Sequence, residues 1–174
     1  SANVLAPISI SINSGVEVPG TVTPPNVAIL DQVYAKVDSE GIGIGARITS
    51  FTGGFDATFQ MPEGNAPVTG LRVSTTGKFF RNQPSNIPVT LSIDVRKYEV
   101  LPNGQIRASW ERVRNVLLTP FEETVNADLT GDLNRFRNPQ TGNVSVALRA
   151  SSPGRLGVNE FQYQLDVVSL RVSQ

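Results

Sequence analysis

Apolar and polar residues alternate with a period of two along most of this chain, and this pattern constrains its fold more than any other feature. The alternation is clearest in residues 142–172 (GNVSVALRASSPGRLGVNEFQYQLDVVSLRV), which begin with inward candidates Val144, Val146, Leu148 and Ala150. Successive side chains of a β-strand point to opposite faces, so this pattern predicts a strand with one buried face. No segment has a sustained apolar period of 3.6 residues, and we therefore expect almost no helix.

The second half of that stretch changes phase part-way along. Its apolar residues are first Phe161, Tyr163, Leu165 and Val167, and then Val168, Leu170 and Val172. An inserted residue shifts the phase of a strand, so we predict a β-bulge or bend at Val167 and Val168. Residues 151–154 (SSPG) separate the halves and have the composition of a loop. We expect two antiparallel strands around this loop, with the Asp166 carboxylate accepting hydrogen bonds from the free amides of the bulge.

Similar alternation predicts the remaining strands. The side chains expected to face inward are Phe55, Ala57, Phe59 and Met61; Leu71, Val73 and Thr75; Val89, Leu91, Ile93 and Val95; Ile106, Ala108 and Trp110; and Val125, Ala127 and Leu129. Pro102-Asn103-Gly104 predicts a hairpin, because Asn-Gly suits a turn that needs positive φ. The glycine-rich residues 41–48 (GIGIGARI) are either an edge strand or a loop. About eight strands separated by turns indicate a sandwich or barrel, with Trp110 in its core.

The N-terminal segment keeps one alternation phase from residue 4 to residue 18. Its apolar side chains are Val4, Ala6, Ile8, Ile10, Ile12, Val16 and Val18. An unbroken strand of that length would span roughly 45 Å, about the diameter of a domain of this size. One alternative is that Asn13-Ser14-Gly15 closes a short hairpin, so that the segment supplies the first two strands of the domain's own sheet. The other is that the segment is an arm that pairs with the sheet of a neighbouring copy.

Composition excludes several classes of function. The formal net charge is zero, with 15 basic and 15 acidic residues, so we expect neither nucleic acid nor an anionic membrane surface as a partner. The chain has no Cys and no His, which excludes disulfides, thiolate chemistry and a Ser-His-Asp triad and disfavours a transition-metal site. No apolar run approaches 18 residues, so no membrane insertion is expected.

One segment offers oxygen ligands at alternate positions. Its candidate calcium ligands are Asp128, Thr130, Asp132 and Asn134 (DLTGDLN). An EF-hand loop would have Gly and Glu where Leu133 and Pro139 stand, so the spacing departs from that motif. The same residues also suit a turn in which Asp and Asn side chains cap backbone amides.

Catalysis would require a pair of carboxylates such as Glu122 with Glu123 or Asp128 with Asp132. Adjacent residues of a strand point to opposite faces, so the first pair cannot flank one bond. We therefore predict that the chain is not an enzyme.

Sugar binding would require an exposed aromatic ring beside polar side chains. The candidate aromatic rings are those of Trp110, Tyr98, Tyr34, Phe79, Phe80 and Phe136. Trp110 is expected in the core, so the preferred ligand-binding candidates are Phe79 and Phe80, together with Arg135, Phe136 and Arg137 on one loop. Adjacent Phe79 and Phe80 place one ring on each face of a strand, so one of them is expected to face a loop, a linker or a partner.

Three stretches together resemble the galactose-binding-like jelly-roll modules of extracellular bacterial proteins. They are DQVY (residues 31–34), the hairpin VTLSIDVRKYEVLPNGQIRASW, and the ending FRNPQTGNVSVALRA with FQYQLDVVSLRV. The resemblance implies an antiparallel jelly-roll β-sandwich over residues 27–174, preceded by a strand or donated arm (1–20) and a Pro/Gly linker (21–26). It also implies an extracellular or cell-surface location. A structural calcium ion, if present, could draw on residues 128–134 or on Asp31, Asp38, Glu40 or Asp166.

The leading functional hypothesis is a non-enzymatic structural subunit of a surface filament, appendage or layer. In it the N-terminal arm completes the sheet of the next copy, so the chain forms a homo-oligomer or polymer. The alternative is a carbohydrate- or ligand-binding sandwich module that is accessory to a surface enzyme, with a glycan as its partner.

Overall fold

The computed structural model describes residues 2–45, 47–64, 66–154 and 159–174. Two 3-10 helices, Pro24–Val27 and Leu133–Phe136, are the only helical segments in these ranges. The strands are β1 (Ala2–Leu5), β2 (Ser9–Ser14), β3 (Val16–Glu17), β4 (Ala35–Asp38), β5 (Glu40–Ile44), β6 (Arg47–Gln60), β7 (Gly70–Phe80), β8 (Val89–Val100), β9 (Ile106–Leu118), β10 (Glu123–Leu129), β11 (Asn143–Pro153) and β12 (Gln162–Ser173). Within the same ranges, no helix is both long and apolar enough to span a membrane.

The strands form two antiparallel sheets that pack face to face. Sheet A has the order β10-β7-β12-β4-β3, and β1 also pairs with β12. Sheet B has the order β2-β6-β11-β8-β9, and β5 also pairs with β6. The predicted all-β, antiparallel sandwich is confirmed.

The core lies between the sheets and is built from the alternating residues that the sequence singles out. The predicted inward residues of β6, β7, β8 and β11 are all buried, and so are Ala127 and Leu129 of β10. Phe55 of sheet B and Tyr163 of sheet A meet in this core with ring centroids 5.4 Å apart. Burial of such rings between two apolar sheet faces is the main source of stability in a sandwich.

The predicted pairing of the last two strands is wrong, although both strands exist. β11 pairs with β6 and β8 in sheet B, whereas β12 pairs with β7, β4 and β1 in sheet A. Each strand buries one apolar face, and a sandwich satisfies both by placing them in opposite sheets. The register of β12 shifts between Leu165 and Val167, so the bulge lies at Asp166, one residue before the predicted position.

The N-terminal segment crosses between the sheets instead of following one line. β1 lies in sheet A, β2 in sheet B and β3 in sheet A again. The single alternation phase is therefore wrong for β1, where Leu5 packs against the core and Val4 is 69% exposed. The hairpin alternative is also wrong, since β2 and β3 lie in different sheets. A tight turn at Gly15 (φ +85°) joins them, and a Cβ there would lie 2.5 Å from the Asp38 carbonyl oxygen.

All three N-terminal strands pair with strands of their own chain. The following residues are also tied to the sandwich: the Thr21 hydroxyl oxygen accepts from the Lys36 amide at 3.0 Å, and Val27 is buried. The division into arm, linker and domain stays a prediction, as does donation of the arm to a neighbour.

Trp110 does not lie in the core. It is 41% exposed, and the register places it opposite Arg96 of β8. The core phase of β8 runs through Val95, whose partner is Glu111, so Trp110 must point outward. The predicted hairpin before it is confirmed, with Gly104 at φ +82°. The glycine-rich segment takes the edge-strand alternative, as β5 paired to β6.

Candidate functional site

The outward surface of sheet B is a broad polar platform. One row of residues crosses five strands in register: Ser11, Asp56, Ala147, Asp94 and Arg112. Four strand spacings give this row a width of about 19 Å. Trp110 and Arg96 form the adjacent pair on β9 and β8. We call this outward surface of β2, β6, β11, β8 and β9 the Trp110 face.

The Trp110 ring is held by a charged neighbour. The Arg96 guanidinium lies 5.1 Å from the ring centroid, a cation–π distance. Arg112 and Asp94 form an ion pair in the next row, with Nε to Oδ1 at 2.9 Å. The ring therefore presents apolar surface to solvent between fixed polar groups.

Other side chains of the Trp110 face are also bonded across strands. The Asn13 amide donates to Asp56 Oδ1 at 3.0 Å, and the Thr58 and Ser145 hydroxyls lie 3.5 Å apart. These cross-strand bonds link β2 to β6 and β6 to β11. A surface whose side chains are already oriented loses less conformational entropy on binding.

A depression of about 550 Å³ continues the Trp110 face at the hairpin end. Tyr98, Ile106 and Ala108 contribute to its lining, and Asn138 and Gln140 approach from the loop before β11. It combines one aromatic ring with amide side chains, as ligand sites often do.

The outward surface of sheet A carries a groove of about 650 Å³. We call it the Phe80 groove; among its lining residues are Lys36, Asp38, Phe80, Gln162 and Gln164 from the strands and Asn82, Gln83 and Glu160 from the loops. The ring of Phe80 is 52% exposed, whereas Phe79 packs against the core on the opposite side of β7. The expected division of these two rings between opposite faces is confirmed, and the binding role of Phe80 stays a prediction.

The loop that carries Asn82 and Gln83 is fixed by Arg81. Its guanidinium donates to the Ile87 carbonyl at 2.6 Å, to Ser152 Oγ at 2.9 Å and to the Asn159 carbonyl at 3.4 Å. Ser152 and Asn159 are themselves buried. Burial lowers the pKa of Arg81, which nevertheless stays far above neutral pH because an arginine remains charged in proteins.

The other predicted ligand residues have structural partners. Phe136 is fully buried, so its ring is not available to a ligand at the surface. Arg135 stacks on that ring and donates to both carboxylate oxygens of Glu111, at 3.2 and 2.8 Å. The hydrogen bond from Arg135 holds the pKa of Glu111 below its ordinary value. Arg137, which is half-buried, follows the same 3-10 helix as its C-cap.

The two carboxylates among the candidate calcium ligands are used within the fold. Asp128 pairs with Arg72 at 2.7 Å, and the Asp132 carboxylate caps the Asn134 amide at 3.1 Å. The Thr130 carbonyl accepts from Arg135 at 2.7 Å. In the part of the chain that the structure describes, no three Asp, Glu, His or Cys side chains converge as a metal site requires. A calcium ion in this loop stays a prediction.

Asp166 has a capping role, though with a different partner from the one expected. Its carboxylate accepts from the backbone amides of Asp31 and Gln32, at 3.3 and 3.1 Å, and not from the bulge itself. Burial, and then a hydrogen bond with Glu122, raise the pKa of Asp166 to about 6. Tyr34 donates to Glu122 at 3.1 Å, and burial raises the pKa of that phenol to about 12.

Two features of the candidate surfaces were missed by the sequence interpretation. The first is the position of Trp110. Counting residues outward from the Asn103-Gly104 turn along both strands pairs Trp110 with Arg96, which is out of phase with the core residues of β8, and the register agrees. The second is the Phe80 groove. The sequence around Gln162 and Gln164 indicates only a polar strand face, because no local signal shows that a loop lies beside that face.

No family model matches the chain. No curated protein matches it either. Several solved structures resemble its fold, including the following two. The CBM22-1 xylan-binding domain of Paenibacillus barcinonensis Xyn10C has 11% identity and a TM-score of 0.42, over 79% of this chain and 81% of that one.

The second structure is described as showing the promiscuous specificity of carbohydrate-binding modules from the β-sandwich superfamily. It has 10% identity and a TM-score of 0.38, over 93% of this chain and 56% of that one, so this chain spans little more than half its length. At these values neither structure tells what this chain binds.

Proposed function

We propose that this chain is a non-catalytic carbohydrate-binding module, located outside the cell or at its surface, that holds a neutral glycan on the Trp110 face. The observation that carries the proposal is the outward position of Trp110, the one tryptophan of the chain, on a polar platform. A sugar ring has apolar C–H faces and hydroxyls at its rim. An exposed aromatic ring packs against the former, and the surrounding amides, carboxylates and guanidinium groups bind the latter.

The charge of the Trp110 face favours a neutral polymer. Three arginines and two aspartates point outward there: Arg96, Arg112, Arg149, Asp56 and Asp94. Two of these arginines are already engaged, Arg96 over Trp110 and Arg112 with Asp94. The net positive charge that remains is too small to select a polyanion such as nucleic acid, whose binding needs a row of basic side chains.

Replacement of Trp110 by Ala tests the proposal. We expect the affinity for a bound glycan to fall about tenfold, because the stacking surface is lost. A panel of neutral β-linked oligosaccharides is screened on a glycan array, and hits are titrated by isothermal calorimetry. Phe121→Ala is the matched control, since Phe121 is also exposed but lies in the β9–β10 connection.

The Trp110→Ala variant should keep its fold, because the ring makes no core contact. Equal affinity of Trp110→Ala and the unaltered chain would contradict the proposed site. The absence of any glycan signal from the full panel would contradict the proposed function.

A second proposal, assembly through the N-terminal strand, rests on the position of β1. This four-residue strand covers the edge of β12 from Leu170 to Ser173, and its Val4 side chain is largely exposed. A neighbouring copy could supply the same strand with the same backbone hydrogen bonds, which is strand exchange.

Deletion of residues 1–6 tests that exchange, because it removes β1 and leaves β2 in place. We expect the full chain to show oligomers in static light scattering at high concentration and the shortened chain to show fewer. A full chain that is monomeric at every concentration would rule out assembly.

A further inference from the structure

We infer that the Phe80 groove is a second binding site, for a neutral, hydroxyl-rich oligosaccharide, on the sheet opposite the Trp110 face. The inference stands on a separate set of residues and does not depend on whether the Trp110 face binds a glycan.

The floor of the groove is a chain of amide side chains beside an exposed ring. Gln164 Nε2 donates to Gln162 Oε1 at 2.7 Å, and Gln162 Nε2 donates to Asp38 Oδ1 at 3.0 Å. Gln162 lies between Asp38 on β4 and Phe80 on β7 in the sheet register. The hydrogen bonds fix both amides, so their orientation is set before a ligand arrives.

Each of these amides keeps capacity for a hydroxyl group. A glutamine side chain offers two N–H donors and two acceptor lone pairs, and the amide chain uses only one donor and one acceptor of Gln162. A hydroxyl both donates and accepts, so it matches an amide better than a carboxylate or ammonium does. Phe80 adds the apolar surface on which the C–H face of a sugar can rest.

The charges around the groove nearly balance. Lys36 and Asp38 line its floor, and Glu160 lines its rim. An adjoining depression of about 460 Å³ shares Phe80 and Gln164 with the groove and adds Lys78, whose Nζ lies 5.2 Å from the Tyr34 ring centroid. Arg81 also lines this depression, but its guanidinium is engaged with three acceptors in the loop wall. Three cations and two acids leave a net charge of only +1, which is too small to select an ionic ligand.

The wall of the groove is built before binding. Arg81 ties the 82–88 loop to buried Ser152 and Asn159, and the Ser85 hydroxyl accepts from the Ile87 amide at 3.2 Å. A preformed wall reduces the ordering cost of a ligand.

A peptide fits this surface less well than a sugar does. Peptides that add to a sheet need a free strand edge, and the floor strands β7, β12 and β4 are interior members of sheet A. Proline-rich peptides need grooves lined by several aromatic rings. The geometry therefore favours the oligosaccharide.

The test uses cellohexaose, xylohexaose, mannohexaose and laminarihexaose as probes. The side-chain amide signals of Gln162 and Gln164 are followed by ¹⁵N–¹H NMR during titration of the unaltered chain. We expect at least one probe to shift both signals. Phe80→Ala should weaken that response about tenfold, whereas Phe80→Tyr should retain it.

Ile44→Ala is the matched control, because Ile44 is exposed at the edge of the other sheet. Gln162→Met keeps the length of the side chain and removes its amide, so it serves as a second variant that leaves the Phe80 ring in place. Trp110→Ala should leave the Gln162 and Gln164 response unchanged, which separates failure of this site from failure of the Trp110 face.

The inference is overturned if no probe moves the Gln162 and Gln164 signals at millimolar concentration. It is also overturned if Phe80→Ala and Gln162→Met bind as the unaltered chain does, or if a random peptide library shifts these signals while all four sugars leave them in place.

Discussion

Asp166 is, among the described residues, the only acidic side chain that is fully buried. It holds the Asp31 and Gln32 amides, so one carboxyl group positions the loop before β4. Gln32 has a φ of +61°, an uncommon value for a non-glycine residue. The hydrogen bonds from these two amides offset part of the cost of that backbone conformation.

The titration of Asp166 predicts a pH dependence of stability. Its pKa is raised from the ordinary value of 3.8 to about 6 in the folded chain. Between these two values the unfolded chain loses a proton that the folded chain retains, so the free energy of unfolding falls as the pH rises from about 4 to about 6. Above pH 6 this contribution stays constant. One pKa unit corresponds to about 1.4 kcal/mol, so we expect a loss on the order of 3 kcal/mol.

Asp166→Asn removes this titration while keeping an oxygen that can accept from both amides. Urea unfolding of both proteins at pH 4, 5, 6 and 7.5 measures the difference between their free energies of unfolding. That difference should change between pH 4 and 6 and then level off. Parallel pH profiles for the two proteins would show that Asp166 does not titrate in this range.

At the scale of elements, the bulge divides β12 into two parts that pair with different strands along one edge. One edge of this strand pairs with β7 along almost its whole length. The other edge pairs with β4 from Gln162 to Leu165, before the bulge, and with β1 from Leu170 to Ser173, after it. One strand thereby orders three others, and its outward glutamines become the floor of the Phe80 groove.

The β7–β8 connection is an irregular segment whose order depends on one side chain. Replacement of Arg81 by Met keeps the aliphatic stem near Phe79 and removes three hydrogen bonds. We expect a loss of about 2 kcal/mol in urea unfolding, since acceptors beside buried Ser152 and Asn159 lose their donor. Thermolysin should also cleave the 82–88 loop faster.

Arg107→Met is the matched control for that change. Arg107 forms an exposed ion pair with Glu99, and such pairs contribute roughly 0–1 kcal/mol. If the two variants lose the same stability and the loop is cleaved no faster in Arg81→Met, Arg81 is not its anchor.

At the scale of the whole molecule, local alternation predicted the strands and the core but not their partners. Val144 to Ala150 could be placed on a buried face because period-two burial is a local property. Whether β11 or β12 belongs to sheet A or sheet B depends on distant strands, so the sequence of either strand alone does not predict it. The prediction of one alternation phase for the N-terminal segment was wrong for the same reason. Leu5 and Ile10 face the same core from two different sheets.

The candidate surfaces were harder to predict than the core. The exposure of Phe80 followed from its adjacency to Phe79 on one strand, which is local information. The Trp110 face depends on the register of a hairpin, and the groove wall depends on contacts from Arg81 to residues about 70 positions away. Long-range contacts of this kind appear only after the strands are arranged.

The pairing of Ala2 with Ser173 has a consequence for how the chain acquires its structure. During synthesis β1 leaves the ribosome long before its partner β12, so sheet A cannot close until residues 162–173 have also emerged. Most other pairings, such as β11 with β6, also join distant parts of the sequence. A topology of this kind folds in roughly milliseconds to seconds. Until folding is complete, the chain exposes unpaired strand edges that could pair with another chain.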